Sequence, residues 1–165
     1  MKEINPLDLN ENVFKVIGKD WFLITDDKDG KCNAMTASWG GMGVLFNKNV
    51  VTIYVRPSRY TKSFLDADDR FSLCVMPEKY RDQLKYCGKV SGRDEDKIKK
   101  CGFTLNEELN TVCFNESRLV FICKKLYEQQ LDSKFLKDNN LRETFWNDDV
   151  HVMYIAEIEK ILLED

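Results

Sequence analysis

The chain lacks most of the features that decide a class at a glance. Its 165 residues include only three prolines and eight glycines, too few for long disordered linkers. It has one histidine, His151, and none of its six cysteines (Cys32, Cys74, Cys87, Cys101, Cys113, Cys123) forms a C-x-x-C pair. Structural zinc needs closely spaced ligand pairs, so no metal site is expected. No stretch approaches the ~20 apolar residues of a membrane span, and the opening "MKEINPLDLNENVF" has no apolar run of the secretory kind. Neither sign of charge dominates: 25 Lys and Arg stand against 28 Asp and Glu, a net charge of -3. That balance argues against nucleic acid as the main partner. Free thiols without a targeting segment read as a reduced, cytoplasmic protein. The motifs G-x-x-x-x-G-K-[ST], S-x-x-K, G-x-S-x-G and H-E-x-x-H are absent, which removes the P-loop and the common hydrolase sites.

What is present is ordinary globular material, 43% apolar and 32% charged. The length fits one domain over residues 1–165, large enough to bury roughly 68–70% of its unfolded surface. Val13 to Ile17 and Trp21 to Thr25 are β-rich runs, and "DDKDGK" (Asp26 to Lys31) carries the Asp-Gly signal of a hairpin. "WGGMG" reads as a flexible loop. "VVTIYV" (Val50 to Val55) alternates as a strand, and "FSLCVM" (Phe71 to Met76) is a second one stopped by Pro77. Helical signals run from Glu78 to Gly88 and from Arg93 to a stop at Gly102. Arg118 to Leu131 and the stretch "HVMYIAEIEKIL" are long strands, with "SKFLKDNNLRETFW" partly helical between them. At least six strands broken by short helices predict a mainly β fold, a barrel with helical insertions rather than a βαβ sheet.

Two segments carry chemistry. In "YVRPSRYTKSFLDADD" the first turn of the expected helix holds Arg59 and Lys62, and its far end holds Asp66, Asp68 and Asp69. A helix prefers the reverse order, by about 0.3–1 kcal/mol at each end. With Ser58 as N-cap, and Arg56, Arg59, Thr61 and Lys62 around it, the segment reads as an anion site suited to phosphate. The bland alternative is a solvated helix with Lys62 and Asp66 as an i,i+4 pair, worth about 0.2–0.5 kcal/mol. In "NAMTASWGG" an extended chain puts Asn33, Met35, Ala37 and Trp39 on one face and Ala34, Thr36, Ser38 and Gly40 on the other. The second face is small and hydroxylated. Either a flat ligand lies against it or Thr36 and Ser38 simply meet solvent.

The string "NAMTASWGGMGVLFNKNVVTIYVRPSRYTKSFL", followed by "YCGKVSGRDEDKIKKCG", resembles the flavin reductase-like family of FMN-binding split barrels, the flavoredoxin group. The likeness runs from about Asp20 to Gly102, with a weaker echo in "HVMYIAEIEKIL". It implies a split β-barrel that binds FMN. By position, Asn33, Met35, Thr36, Ala37, Ser38 and Trp39 would border the flavin, while Arg56, Ser58, Arg59, Tyr60, Thr61 and Lys62 would surround its phosphate. Lys89 and Ser91 in "CGKVSGRD" become candidate contacts, although a helix stop at Gly88 and a helix start at Ser91 explain that segment equally well. The resemblance further implies a homodimer and an FMN-dependent oxidoreductase fed by NADH, NADPH or a redox protein; the alternative is a non-catalytic FMN- or phospholigand-binding module of the same fold. No catalytic residue is assigned. His151 and Cys87 stand as a strand-end histidine and a buried thiol unless the structure brings them to the site.

Overall fold

The computed structural model describes residues 1–145 and 149–164. Its strands are β1 (Lys2–Ile4), β2 (Phe22–Lys28), β3 (Lys31–Ala37), β4 (Gly40–Leu45), β5 (Lys48–Val55), β6 (Arg70–Val75), β7 (Leu105–Glu108), β8 (Thr111–Phe114), β9 (Leu119–Gln130) and β10 (Val152–Leu163). Its helices are α1 (Val13–Lys15), α2 (Lys62–Leu65), α3 (Arg81–Lys89), α4 (Lys97–Cys101) and α5 (Asn139–Phe145). Eight strands form one antiparallel sheet in the order β3-β2-β6-β9-β10-β5-β4, with β1 added to β10; β7 and β8 make a separate hairpin.

The sheet curls because both of its ends feed one core. Ile24 and Met35 from one end pack in the same cluster as Val51, Ile53 and Val55 from the other, with Phe71, Phe121, Tyr154 and Ala156 between them. Burying each such side chain contributes roughly 1.5–3 kcal/mol. A second apolar layer lies outside the barrel wall, where Leu84 and Cys87 of α3, Ile98 of α4 and Phe114 of β8 cover Leu23, Ala34, Cys74 and Ile122. The architecture is a split β-barrel with short helices, the expected fold.

The alternating pattern of β5 is realised: Val51, Ile53 and Val55 are fully buried and Thr52 and Tyr54 only partly. At the β2–β3 turn Asp29 and Gly30 both have positive φ, 52° and 73°, as a type I′ hairpin demands. Four expectations need correction. Val13 to Ile17 is not a strand but α1 running into a π-helical turn, Val16–Asp20, whose Val16 and Ile17 enter the barrel core. "WGGMG" is not a loop: its glycines belong to β4, paired with β5 from Gly40↔Ile53 to Leu45↔Lys48. Here glycine serves close approach, since a Cβ on Gly40 would lie 2.6 Å from the Thr52 carbonyl oxygen. The charged helix begins at Lys97, capped by Asp96, rather than at Arg93. Finally, Ser58 caps no helix, because α2 starts only at Lys62 after tight turns that return Arg59 N–H to Arg56 O and Lys62 N–H to Arg59 O. The helix expected in "SKFLKDNNLRETFW" appears as α5; Trp146 lies outside the described residues.

Candidate functional site

The end of β3, the end of β5 and the residue ahead of β10 come together around one cleft, and the turn after β5 folds against the C-terminal end of α3. Two cavities of about 260 Å³ each lie along this seam. The first is walled by Met35, Thr36, Ala37, Ser38 and Trp39 at the end of β3, by Tyr54, Arg56 and Arg59, and by His151 ahead of β10. The second is walled by Met35, Arg56, Ser58, Arg59, Tyr60 and Thr61, and opposite them by Lys89, Val90, Ser91, Gly92, Arg93 and Lys97. Met35, Arg56 and Arg59 belong to both, so the two form one bent cleft.

The second half of that cleft is strongly cationic. Arg56, Arg59, Lys89, Arg93 and Lys97 line it and, among the described residues, no carboxylate does, in a chain whose net charge is -3. Three of these cations are fixed by backbone carbonyls. Arg59 Nη1 donates to Gly88 O at 2.8 Å, Arg93 Nη1 to Ser58 O at 3.0 Å, and Lys97 Nζ to Cys87 O and Val90 O, both at 3.0 Å. The carbonyls of Cys87, Gly88 and Val90 end α3, where positive charge is favoured. Lys97 is only 3% exposed; burial depresses its pKa and Arg59 adds to that effect. The side chains of Arg56 and Lys89 have no hydrogen-bond or ion-pair partner among the described residues, which leaves their donors available to an anion.

Gly92 permits this wall to close. A Cβ there would fall 2.2 Å from Asn33 Oδ1 and 3.2 Å from Tyr60 Cδ1. Asn33 in turn donates through Nδ2 to Thr61 Oγ1 at 2.8 Å, and both residues are buried. Asn33 thus tethers the loop after β5 to β3 while lining a different, larger cavity of about 640 Å³. Lys62 lines none of these cavities; its ammonium pairs with Asp66 and lies 5.6 Å over the Tyr154 ring, the i,i+4 pair of the bland reading. Thr36 lines the first cavity, but its hydroxyl is occupied: it donates to Leu84 O of α3 at 2.5 Å. The small face of β3 is small because α3 packs on it, with a Cβ on Gly88 coming within 3.3 Å of Thr36 Cβ.

Ser58 meets a carboxylate of the protein itself. Asp149 accepts from the Ser58 hydroxyl and, at 3.1 Å, from its backbone N–H. Burial works to raise the Asp149 carboxyl, yet Ser58, with Arg56 and His151 adding, holds it below the usual range. His151 stacks on Trp39 at 5.1 Å, and Phe145 meets the Trp39 edge at 5.4 Å. Burial lowers the imidazole pKa and Arg56 and Arg59 lower it further, against Asp149, so the ring is neutral at pH 7. Tyr54, Gly92, Arg93 and Lys97 were not singled out from the sequence. Tyr54 carried a signal, since it shares the polar face of β5 with Thr52; Lys97 carried none, because a lysine within "DKIKK" is expected in solvent.

The family model described as "Flavin reductase like domain" matches residues 17–165. No curated protein matches the chain. Among solved structures, flavoredoxin from Methanosarcina acetivorans is 22% identical with a TM-score of 0.72, covering 98% of this chain and 77% of that one. Flavoredoxin of Desulfovibrio vulgaris (Miyazaki F) is 19% identical with a TM-score of 0.70, over 98% and 77%. An FMN-binding protein from Thermus thermophilus is 14% identical with a TM-score of 0.70, over 99% and 81%. At these identities the structural likeness speaks for the fold.

Proposed function

We propose that this chain, which belongs to the flavin reductase-like family, is an FMN-dependent oxidoreductase of the flavin reductase or flavoredoxin type, acting as a single domain over residues 1–165. The observation that carries the reading is the cationic half of the cleft, five basic side chains with no acid among the described residues that line it, joined to a half walled by Trp39, Tyr54 and His151. These residues suit FMN. Arg56 and Lys89 have donors to give a phosphate, Ser91 and Thr61 line the same wall, and the Met35–Trp39 edge offers the apolar and backbone surface a flat ring needs. FMN, when bound, supplies the acceptance and release of two electrons.

The chain's own contribution is placement and field. Arg59 and Lys97 fix the end of α3, Asn33 and Thr61 hold the loop after β5 against β3, and Arg56 spans both halves of the cleft. Positive charge at that junction favours an electron-rich ring over an electron-poor one. His151, neutral, and Trp39, 45% exposed, stand at the open side, where a donor or acceptor has access. The electron donor is NADH, NADPH or a redox protein. Two copies are proposed to pair as a homodimer, a state in keeping with the exposed Val44 and Phe46 at the β4–β5 tip. Among the described residues no helix is long and apolar enough to cross a membrane.

The absorption spectrum of the purified protein tests this, before and after added FMN. Bound FMN gives bands near those of free flavin, shifted by the site, and anaerobic NADH or NADPH bleaches them if a nicotinamide is the donor. Bleaching by neither nucleotide assigns the donor role to a redox protein. Protein that stays colourless in excess FMN defeats the proposal.

A further inference from the structure

Cys87 and Cys101 come together where α3 and α4 meet. Their sulfurs are 3.7 Å apart in a thiol–thiol hydrogen bond, the only such bond between cysteines among the described residues. Each is followed by glycine, Gly88 and Gly102, and Gly102 takes a φ of 70°. Bond formation needs the sulfurs to close to about 2.05 Å, a shift that two helix ends next to glycines can supply. Cys87 is fully buried, while Cys101 is partly open to solvent.

We propose that Cys87 and Cys101 form a reversible disulfide when the protein meets a peroxide. The step balances as follows. The partly open Cys101 thiol gives up its proton and its sulfur attacks hydrogen peroxide, taking one oxygen as a sulfenic acid and releasing one water. The Cys87 sulfur then attacks the Cys101 sulfur and displaces that oxygen, which leaves with the Cys87 proton as a second water. Two thiols and one peroxide give one disulfide and two waters; sulfur is oxidised and peroxide oxygen reduced. Burial raises both thiols, Cys87 up to about 12; only Cys101 is open to solvent, which assigns the first attack to it. The new bond closes a loop of 15 residues, 87 to 101. That loop contains Lys89, Ser91 and Gly92 of the cationic wall, so oxidation clamps one side of the cleft.

The experiment treats the full chain with one equivalent of hydrogen peroxide, then counts thiols under denaturing conditions and maps peptides cut by trypsin together with a glutamate-specific protease, which separates Cys101 from Cys113. Titratable thiols are expected to fall from six to four, with residues 86–89 joined to the peptide that runs from Cys101 to Glu107 or Glu108 and two hydrogens lost in mass. Dithiothreitol restores all six, and closure of the loop raises the unfolding midpoint by about 5–10 °C. Cys101→Ser keeps its five thiols, whereas Cys87→Ser accumulates a sulfenic acid on Cys101 that dimedone traps. Six surviving thiols, a bond between any other pair of cysteines, or a loss that dithiothreitol does not reverse overturns the proposal. The peptide map of the unsubstituted chain decides the matter even if a variant fails to fold.

Discussion

Asp26 offers a test that owes nothing to any ligand. It sits on β2 at 1% exposure. One carboxyl oxygen accepts the Asp27 N–H at 2.8 Å, and the other, Oδ2, has no partner among the described residues. Burial, helped by the charges of Asp68 and Asp27, pushes its pKa up to about 7, against the Asp27 N–H and Lys125. The folded state therefore holds a proton that the unfolded chain, near 3.8, gives up. Stability from this residue is complete below pH ~4, falls as pH rises, and reaches its floor above pH ~7. Three units at about 1.4 kcal/mol each set a ceiling of about 4 kcal/mol over the whole range. Between pH 4.5 and pH 8 about 3 kcal/mol of that remains. Asp26→Asn keeps an acceptor for the Asp27 N–H and removes the charge, so it abolishes this slope. Urea unfolding followed by tryptophan fluorescence at both pH values should show Asp26→Asn gaining about 3 kcal/mol relative to wild type on going from pH 4.5 to pH 8, or roughly 6–12 °C in midpoint. An equal effect at the two pH values, or a larger loss at pH 8, refutes the reasoning.

The cleft yields three further predictions. Arg56→Ala removes a cation whose side-chain donors are not hydrogen-bonded among the described residues and weakens FMN about 10–100-fold, as expected for one charge-assisted contact, while leaving riboflavin unchanged; an equal loss for both flavins would count against a phosphate role. Asp149→Ala frees Ser58 and removes a like charge, so calorimetry should find FMN bound up to about tenfold tighter; weaker binding would make Asp149 part of the site rather than its competitor. Gly40→Ala forces a Cβ against the Thr52 carbonyl and should cost about 1–3 kcal/mol in chemical denaturation, and a neutral result would mean that β4 sits further from β5.

The barrel was legible because β5 and β10 alternate and β9 opens on a continuous apolar run, and Asp29-Gly30 fixes the one hairpin whose turn chemistry is explicit. β4 was hidden by its own glycines, which look like a loop but let β4 approach the β5 backbone. The β7–β8 hairpin was missed because its turn, Leu109-Asn110, takes positive φ without glycine. At the site, the basic residues of "RPSR" pointed to a segment that lines the cleft, for a reason only half sound. The four-residue α2 has no dipole to exploit and Ser58 caps nothing; the positive charge gathers because α3 and the loop after it bring Lys89, Arg93 and Lys97 across from Arg56 and Arg59. Such convergence of distant segments leaves no local pattern. The role of the small face at Thr36 was hidden for the same reason: Thr36 lines the cavity, but its hydroxyl answers to α3, which follows 48 residues later at Leu84.

The reading of the cleft is tested most directly by titrating the wild-type protein with FMN and with riboflavin, which differ only in the phosphate, and following quenching of flavin fluorescence. Anchoring of the phosphate by the cationic wall requires FMN to bind at least tenfold more tightly, with the gap narrowing as salt screens the charges. Equal affinities at low salt, or no quenching by either flavin, would contradict it.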